Sequence, residues 1–597
     1  MKKNVPINYT DRDFNSIKQS LVDHARRYYP DTFKDFNDAS FGALMLDTVA
    51  YVGDVLSFYL DYQANESFLE TAIEKENVIN LSKNLGYKYN ESITAHGECD
   101  FFVNVPSTSN SGPDLGYAPV IKSGATLSST DGGQYTLIND VDFSNPENLA
   151  VVSEVDDATG TPTKYAVKAT GLIKSGFIEE ILVPVSEFER FRTIDLEDDN
   201  ISEIVSVEDS EGHVYYEVEH LSQDVIYVDV SNRNTDKHVV PNIIKPLSVP
   251  RRFTADFFPG SVQIQFGQGS DLEILSGSYL DPSKVTLRQF GKQFISDTYL
   301  DPTNFTSTDK MGISPSKTIL SIRYRKDDVD NVNATPGSIT AVTDAELQFV
   351  NESNLVAVKV AGVRNSIECF NENAILGDQS TPSEEEIKIR AKNSYASQNR
   401  AVTRQDYISM AYALPSKFGS IKRARVEVDK DSFKRNINMF VTSENLNGDL
   451  TEPSLSLKNN LKRWINLYRM MGDTFDIIDA KIVNLSINFE IIVAQNFTKA
   501  EALSSCVREL QELYRIKPEI GEPFYLNDVY KALNDLESVV DVTDVGIQNE
   551  SGIGYSTLSF DIDSNLSLDG RTLILPSDHI YEIKNPSINI RGSTLWV

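Results

Sequence analysis

The chain has 597 residues, enough for about four domains of typical size, and its 40% hydrophobic content can fill real cores. Against 87 Asp+Glu there are 56 Lys+Arg, a net charge of −31, which argues against duplex nucleic acid, a partner that selects basic surfaces. Cys99, Cys369 and Cys506, an odd number spaced far apart, give no disulfide framework and point to a reducing compartment.

The opening stretch MKKNVPINYTDRDF has basic residues but no apolar run behind them, so no secretory signal is expected. Residues 1 to about 92 read as three or four packed helices. In the first, Asp13 to Tyr28, Phe14, Ile17, Leu21 and Ala25 fall at helical spacing. The second contains LDTVAYVGDVLSFYLDYQANE, with Asp47, Asp54 and Asp61 at every seventh position. A membrane span needs roughly 20 mostly apolar residues and each central aspartate costs about 3 kcal/mol, so no membrane partner is expected. Seven residues rise about 10.5 Å, whereas the ligands of one Ca²⁺ lie within about 2.6 Å of it. The aspartates therefore cannot share a metal.

On a helical projection the acids oppose a broad apolar stripe of Phe41, Leu44, Met45, Thr48, Val49, Val52, Val55, Leu56, Tyr59 and Leu60. That stripe is expected to meet the core. A lane of small residues, Ala50, Gly53, Ser57 and Ala64, would let another backbone approach closely. Two readings compete: a buried bundle helix with a solvated acid edge, or an inter-subunit helix whose Asp47, Asp54, Asp61 and Glu66 meet basic residues of a partner. A third helix follows in ESFLETAIEKENVINLSKNLGY, where Gly86 supplies the stop.

From about 95 to 345 short strand-like runs (ECDFFVNV, KYAVKATG, HVYYEVEH, DVIYVDV, SVQIQFG, TILSIRYR) alternate with Gly, Pro, Asn and Asp clusters, as in an all-β region. Residues 179 to 229 hold 16 acids and, as bases, only Arg190 and Arg192, a local sum of −14 that suits a solvated rim. Beyond 350 a pattern of strand, helix, helix, strand, strand appears twice. The first copy reads as a strand at 354–363, a helix capped by Thr381 with Pro382 at its first position, a helix from Thr403, and strands SIKRARVEVD and NINMFVTS. The second reads as the alternating strand KIVNLSINFEIIVAQ, a helix with a Thr498/Glu501 capping box, a helix near Asn527 to Leu536, and strands VVDVTDVGIQN and STLSFDID.

The expected fold is thus α+β and multidomain: an N-terminal helical domain (1–94), an acidic β domain (95–250), a second β domain (251–350) and two α/β copies (351–450 and 451–597). A linking helix between the copies carries Leu457, Leu461, Trp464 and Tyr468 on one side. This surplus apolar face predicts that residues from about 350 onward fold alone and pair with a like copy.

No catalytic, cofactor or metal site is expected. Strand alternation sends His213 and His220 to opposite faces. FGQGSD lacks the third glycine, lysine and following helix of a phosphate cradle, and reads as a β-turn. DIDSNLSLDG has Leu566 and Thr572 where a calcium loop needs Gly and Glu. The basic cluster of Lys417, Lys422, Arg423, Arg425, Lys430, Lys434 and Arg435 reads either as the polar face of a hairpin or as a counter-surface for acidic neighbours.

NYTDRDFNSIKQSL, FNDASFGALMLDTVAYVGDVLSFYLDYQANESFLETA and NLSKNLGY together resemble the N-terminal pattern of the baseplate-J-like family of contractile-tailed bacteriophages, most closely the ring-forming wedge subunits of T-even-like phages. VQIQFGQG, LSIRYRKDD and NATPGSIT resemble its β-region pattern, with Gln268 where many relatives carry Asp. TPSEEEIKIRAKNSYASQNRAVTRQDYISMAYALPSKFGSIKRARV resembles its C-terminal signature; residues about 140 to 250 match no part of it. The resemblance implies a structural, non-enzymatic subunit of the virion tail baseplate, assembled in the host cytoplasm. Its copies would pair and join into a ring around the tail hub. The N-terminal bundle would clasp an elongated wedge subunit, and the assembly would support the small wedge subunit from which the sheath starts. A receptor-binding or glycan-cleaving tail protein is the rival class.

Overall fold

The computed structural model describes residues 13–29, 40–89, 92–108, 112–145, 147–158, 160–198, 200–231, 242–258, 260–270, 311–329, 331–429 and 436–595. The fold is α+β and multidomain, with a helical N-terminal region, a strand-rich middle and mixed elements after them. Two compact units emerge. The smaller takes in the described residues up to Tyr89 together with Pro382–Gln398; the larger takes in the rest.

The smaller unit holds helices α1 (Phe14–Tyr28), α2 (Phe41–Glu66) and α3 (Lys75–Asn84). Asp13 and Ser40 cap the first two by accepting the N–H of Ser16 and Ala43, the exchange that stabilises a helix start by roughly 1 kcal/mol. Helix α4 of the chain, Ala357–Arg364, belongs to the larger unit and replaces the strand expected at 354–363. Helix α5 (Glu384–Ser397) returns to the smaller one, where Ile387 and Ala391 pack with Ala72, Val78 and Ile79. Its cap is Ser383, two residues beyond the expected Thr381. Lys392 pairs with Glu70 at 2.8 Å on the surface of this cluster.

In the larger unit two β cores are nested rather than consecutive. In the first, strand His96–Pro106 pairs antiparallel with Pro162–Ser175 and Glu368–Phe370, and Gln134–Leu137, Thr126–Ser129 and Ile339–Asp344 extend the sheet. Phe101, Phe143, Leu127 and Ile339 fill that core. The second core is inserted between Ser175 and Asp327. Its sheet runs Phe177–Val185, Thr318–Lys326, Ile201–Asp209, Val214–Glu217, Arg252–Phe258, Ser261–Phe266, Thr193–Leu196. A boundary at 250 falls within this second core, because Phe253 and Phe266 pack with Val207 and Tyr215.

The FGQG stretch turns out to be a backbone crossing. A Cβ on Gly267 would lie 2.1 Å from the Gly312 carbonyl oxygen, and Gly269 exchanges hydrogen bonds of 2.9 Å with Gly312 and Ser314. Only glycine permits that approach.

The C-terminal half holds α6 (Arg404–Tyr412), α7 (Leu455–Asn466), α8 (Lys499–Leu513) and α9 (Leu526–Asn534). Reciprocal capping boxes start α6, through Thr403 and Asp406, and α8, through Thr498 and Glu501. Each of its two four-stranded sheets has a central strand with both antiparallel and parallel neighbours. Asn436–Glu444 lies between Arg423–Val428 and Thr474–Asp479. Lys481–Val493 lies between Val539–Glu550 and the pair His579–Glu582 and Ile590–Leu595. The final strand expected at STLSFDID is absent, and Ile562–Asn565 there is a short helix capped by Asp561. The two halves therefore share a sheet plan but not an order of elements.

Candidate interaction surface

Helix α2 is turned the opposite way from the sequence expectation. Its small lane, not its apolar stripe, receives the neighbouring helix. Ala43 and Ala50 are buried, and a Cβ on Gly53 would sit 3.3 Å from the Ile17 side chain of α1. Ser57 is half-buried and Ala64 exposed. On the acid edge, Asp47 meets Lys18 of α1 at 2.8 Å, so at least one of the three aspartates finds its cation within the chain. Asp54 is half-buried and Asp61 exposed.

Glu66 also has an internal role. It accepts the N–H of Ile73 (2.9 Å), the N–H of Glu74 (3.3 Å) and the amide of Asn77 (2.9 Å). It thereby supplies the start of α3 with a cap that Glu74 itself does not provide. The Asn77 amide first, then these N–H groups, hold its carboxyl below the usual range. Tyr62 donates to Glu74 at 2.9 Å, and that bond is the main cause raising its hydroxyl above the usual range.

The stripe expected in the core faces outward. Phe41 is 75% exposed, Tyr59 61% and Leu60 68%, and Leu44, Met45, Val49, Val52 and Leu56 are each about half exposed or more. Tyr51 and Phe58, absent from the expected stripe, extend it. Their signal was in the spacing: Phe41, Met45, Thr48, Val52, Val55, Tyr59 and Tyr62 are alternately four and three residues apart. That is the heptad period that keeps a seam facing partner helices. Leu44, Tyr51 and Phe58 flank it on one side and Val49 and Leu56 on the other, where a two-stranded coil would place charges. By length and composition alone α2 could also cross a membrane; the aspartates at positions 47, 54 and 61 oppose that.

The other proposed contact residues point inward. Leu457, Leu461 and Ile465 of α7 are fully buried with Tyr407, Met410 and Met439. Trp464 donates its indole N–H to the Met410 carbonyl at 2.9 Å, and Tyr468 packs edge-on against it at 4.8 Å. This helix therefore lacks the surplus apolar face expected of it; its stripe is consumed by α6 and the sheet beneath.

Arg423 is buried and donates to the carbonyls of Pro518 (3.1 Å) and Lys517 (2.6 Å). Arg425 donates to that of Ile520 at 2.6 Å. Lys417 pairs with Glu217 (3.2 Å) and buried Lys422 with Glu444 (3.0 Å). The described part of the basic cluster is thus a set of internal staples. Lys430, Lys434 and Arg435 lie outside the described residues.

Among the described residues no group of three or more His, Cys, Asp or Glu could hold a metal. His213 is held by Asp209 at 3.0 Å. In DIDSNLSLDG, Asp561 and Asp569 are engaged by Ser564 and Ser567.

Residues 13–84 match the family model for the bacteriophage baseplate protein N-terminal domain. No curated protein matches the chain. Among solved structures, a chain of the anti-feeding prophage baseplate aligns over 96% of this chain and 98% of its own, at 9% identity and a TM-score of 0.24. A chain of the type VI secretion TssK-TssF-TssG baseplate subcomplex aligns over 72% and 95%, at 8% identity and a TM-score of 0.22. The match over 13–84, which spans α1 to α3, supports a structural role in a phage tail baseplate.

Proposed function

We propose that this chain is a structural wedge subunit of a contractile-tail baseplate and that the outer face of α2 is where it binds other wedge subunits. The observation that carries this reading is an apolar heptad seam, flanked by further apolar residues and exposed within the segment that matches a baseplate domain. Monomeric soluble proteins rarely leave more than a few hundred Å² of contiguous apolar surface open. Both flanks of the seam are apolar, so the occupant covers it from two sides, as in a bundle of three or more helices. An elongated wedge partner fits this description. The chain would also join like copies into a ring around the hub and support the small subunit that starts the sheath. The buried face of α7 is not the copy-to-copy contact in this scheme.

A density map of the assembled particle tests the reading. Helices of other subunits should lie against Met45, Val52 and Tyr59. A solvent-facing α2 in the finished particle would overturn it. Purified chain that converts a cell-wall or capsule glycan would favour a glycan-cleaving tail protein instead.

A further inference from the structure

The inserted β core leaves its host sheet at Gly176 and rejoins it at Asp327, and the two crossings lie side by side. Gly176 adopts a φ of +82°, and a Cβ there would meet the Lys326 carbonyl at 2.7 Å and Asp327 Oδ1 at 2.9 Å. Arg325 knits the crossings together: Nη1 donates to the carbonyls of Ser175 (3.1 Å) and Gly176 (3.0 Å) and to the Thr136 hydroxyl (3.1 Å). Its Nε meets Glu203 at 2.8 Å, and Lys174 meets the same carboxylate at 2.7 Å. Lys174, Arg325, Ser175, Thr136 and Asp327 are all buried.

Within this network Asp327 Oδ2 is buried and has no hydrogen-bond partner among the described residues. A buried carboxylate oxygen without a donor is costly when charged and is relieved by a proton. The groups that act on Asp327 come from every side. Arg325 and Lys174 attract its charge and the Ser175 hydroxyl stabilises it, while Asp328 repels it. Tyr135 and Asp378 stand close enough to feel it. Both cations are already engaged by Glu203, so burial prevails.

We propose that Asp327 is a proton-controlled latch on the joint between the two β cores, tight while its carboxyl is protonated and loosened once it ionises. Burial first of all pushes this carboxyl up to about 7. A carboxyl raised above its ordinary value binds its proton more tightly in the closed joint than in the open one. Closure is therefore favoured as pH falls, and opening grows by up to about tenfold per pH unit between about pH 4 and pH 7.

Hydrogen exchange on the full chain between pH 5 and 8.5, corrected for the intrinsic pH dependence of exchange, reads this directly. Peptides covering 172–180 and 322–329 should show the extra slope and level off above about pH 7. In Asp327→Asn the extra slope should vanish. The same slope in wild type and variant would overturn the latch. Should Asp327→Asn fail to fold, Asp328→Asn decides: removing the neighbour that repels the Asp327 charge should move the window to lower pH, and an unmoved window would overturn the proposal.

Discussion

Helices α2 and α7 are both amphipathic, and the chain buries opposite faces of them. Helix α7 places Leu457, Leu461 and Ile465 in a core built by α6 and the sheet of Asn436–Glu444. Its more exposed apolar residues, Leu455, Leu467 and Met471, lie at its first position or past its end. Helix α2 instead gives its narrow lane of Ala43, Ala50 and Gly53 to α1 and leaves its widest apolar stripe bare. A stripe on a helix thus shows which face seeks cover, but not whether the cover comes from the same chain. Fully burying one Val, Leu or Phe side chain yields about 1.5–3 kcal/mol. An open stripe that exposes Phe41, Leu44, Met45, Val49, Val52, Leu56, Tyr59 and Leu60 is a large reserve of association energy.

The sharpest way to break the comparison is to truncate one residue on each helix. Leu461→Ala should lose about 2–5 kcal/mol of stability, because it empties a sealed core. Leu56→Ala, 57% exposed, should stay within about 0.5 kcal/mol of wild type, as surface changes do. Equal losses in denaturant titrations would contradict the assignment of faces. Trp464→Glu sharpens the same point. It strands the Met410 carbonyl and half-buries a charge, so thermal unfolding should shift down with no change in self-association. A folded variant that merely loses a dimer would restore α7 as a contact helix.

Gly53→Leu should cost about 1–3 kcal/mol by overpacking against Ile17. Its mark should be α1 detaching, seen as faster hydrogen exchange within Phe14–Tyr28; unchanged exchange there would place the small lane elsewhere. The smallest effect belongs to Asp47→Asn. The Lys18 pair is roughly one-third exposed on each side, and such pairs contribute about 0–1 kcal/mol, less at high salt. A salt-insensitive loss larger than that would mean Asp47 does more than hold α1.

Much of the fold was legible because local signals agreed with tertiary ones. The Thr403/Asp406 and Thr498/Glu501 boxes, and the alternation of Val483, Leu485, Ile487 and Phe489, are satisfied by nearest neighbours. The misread segments lacked such agreement. LVAVKVAGV at 355–363 is β-branched and reads as a strand, yet Val360 and Val363 pack as the buried face of helix α4 in the first β core. The nesting of the β cores depends on pairing of Ile339–Asp344 with Thr126–Ser129, some two hundred residues apart, and no local pattern announces it. At the candidate surface the heptad was readable, whereas its orientation was not. That depended on whether Gly53 and Ala50 or the larger stripe met α1. Arg423 and Arg425 misled for a related reason: their charge suggested a surface, but their N–H groups serve the carbonyls of a loop about ninety-five residues on.

The central claim is that the outer face of α2 binds other subunits and does not hold this chain together. It is tested most directly by Val52→Asp combined with Tyr59→Asp, with incorporation into purified baseplates measured beside the melting temperature of the free chain. The predicted result is a chain that melts within about 2 °C of wild type and is missing from the particles. Normal incorporation would contradict the claim, as would a free chain that unfolds because the two aspartates have entered its own core.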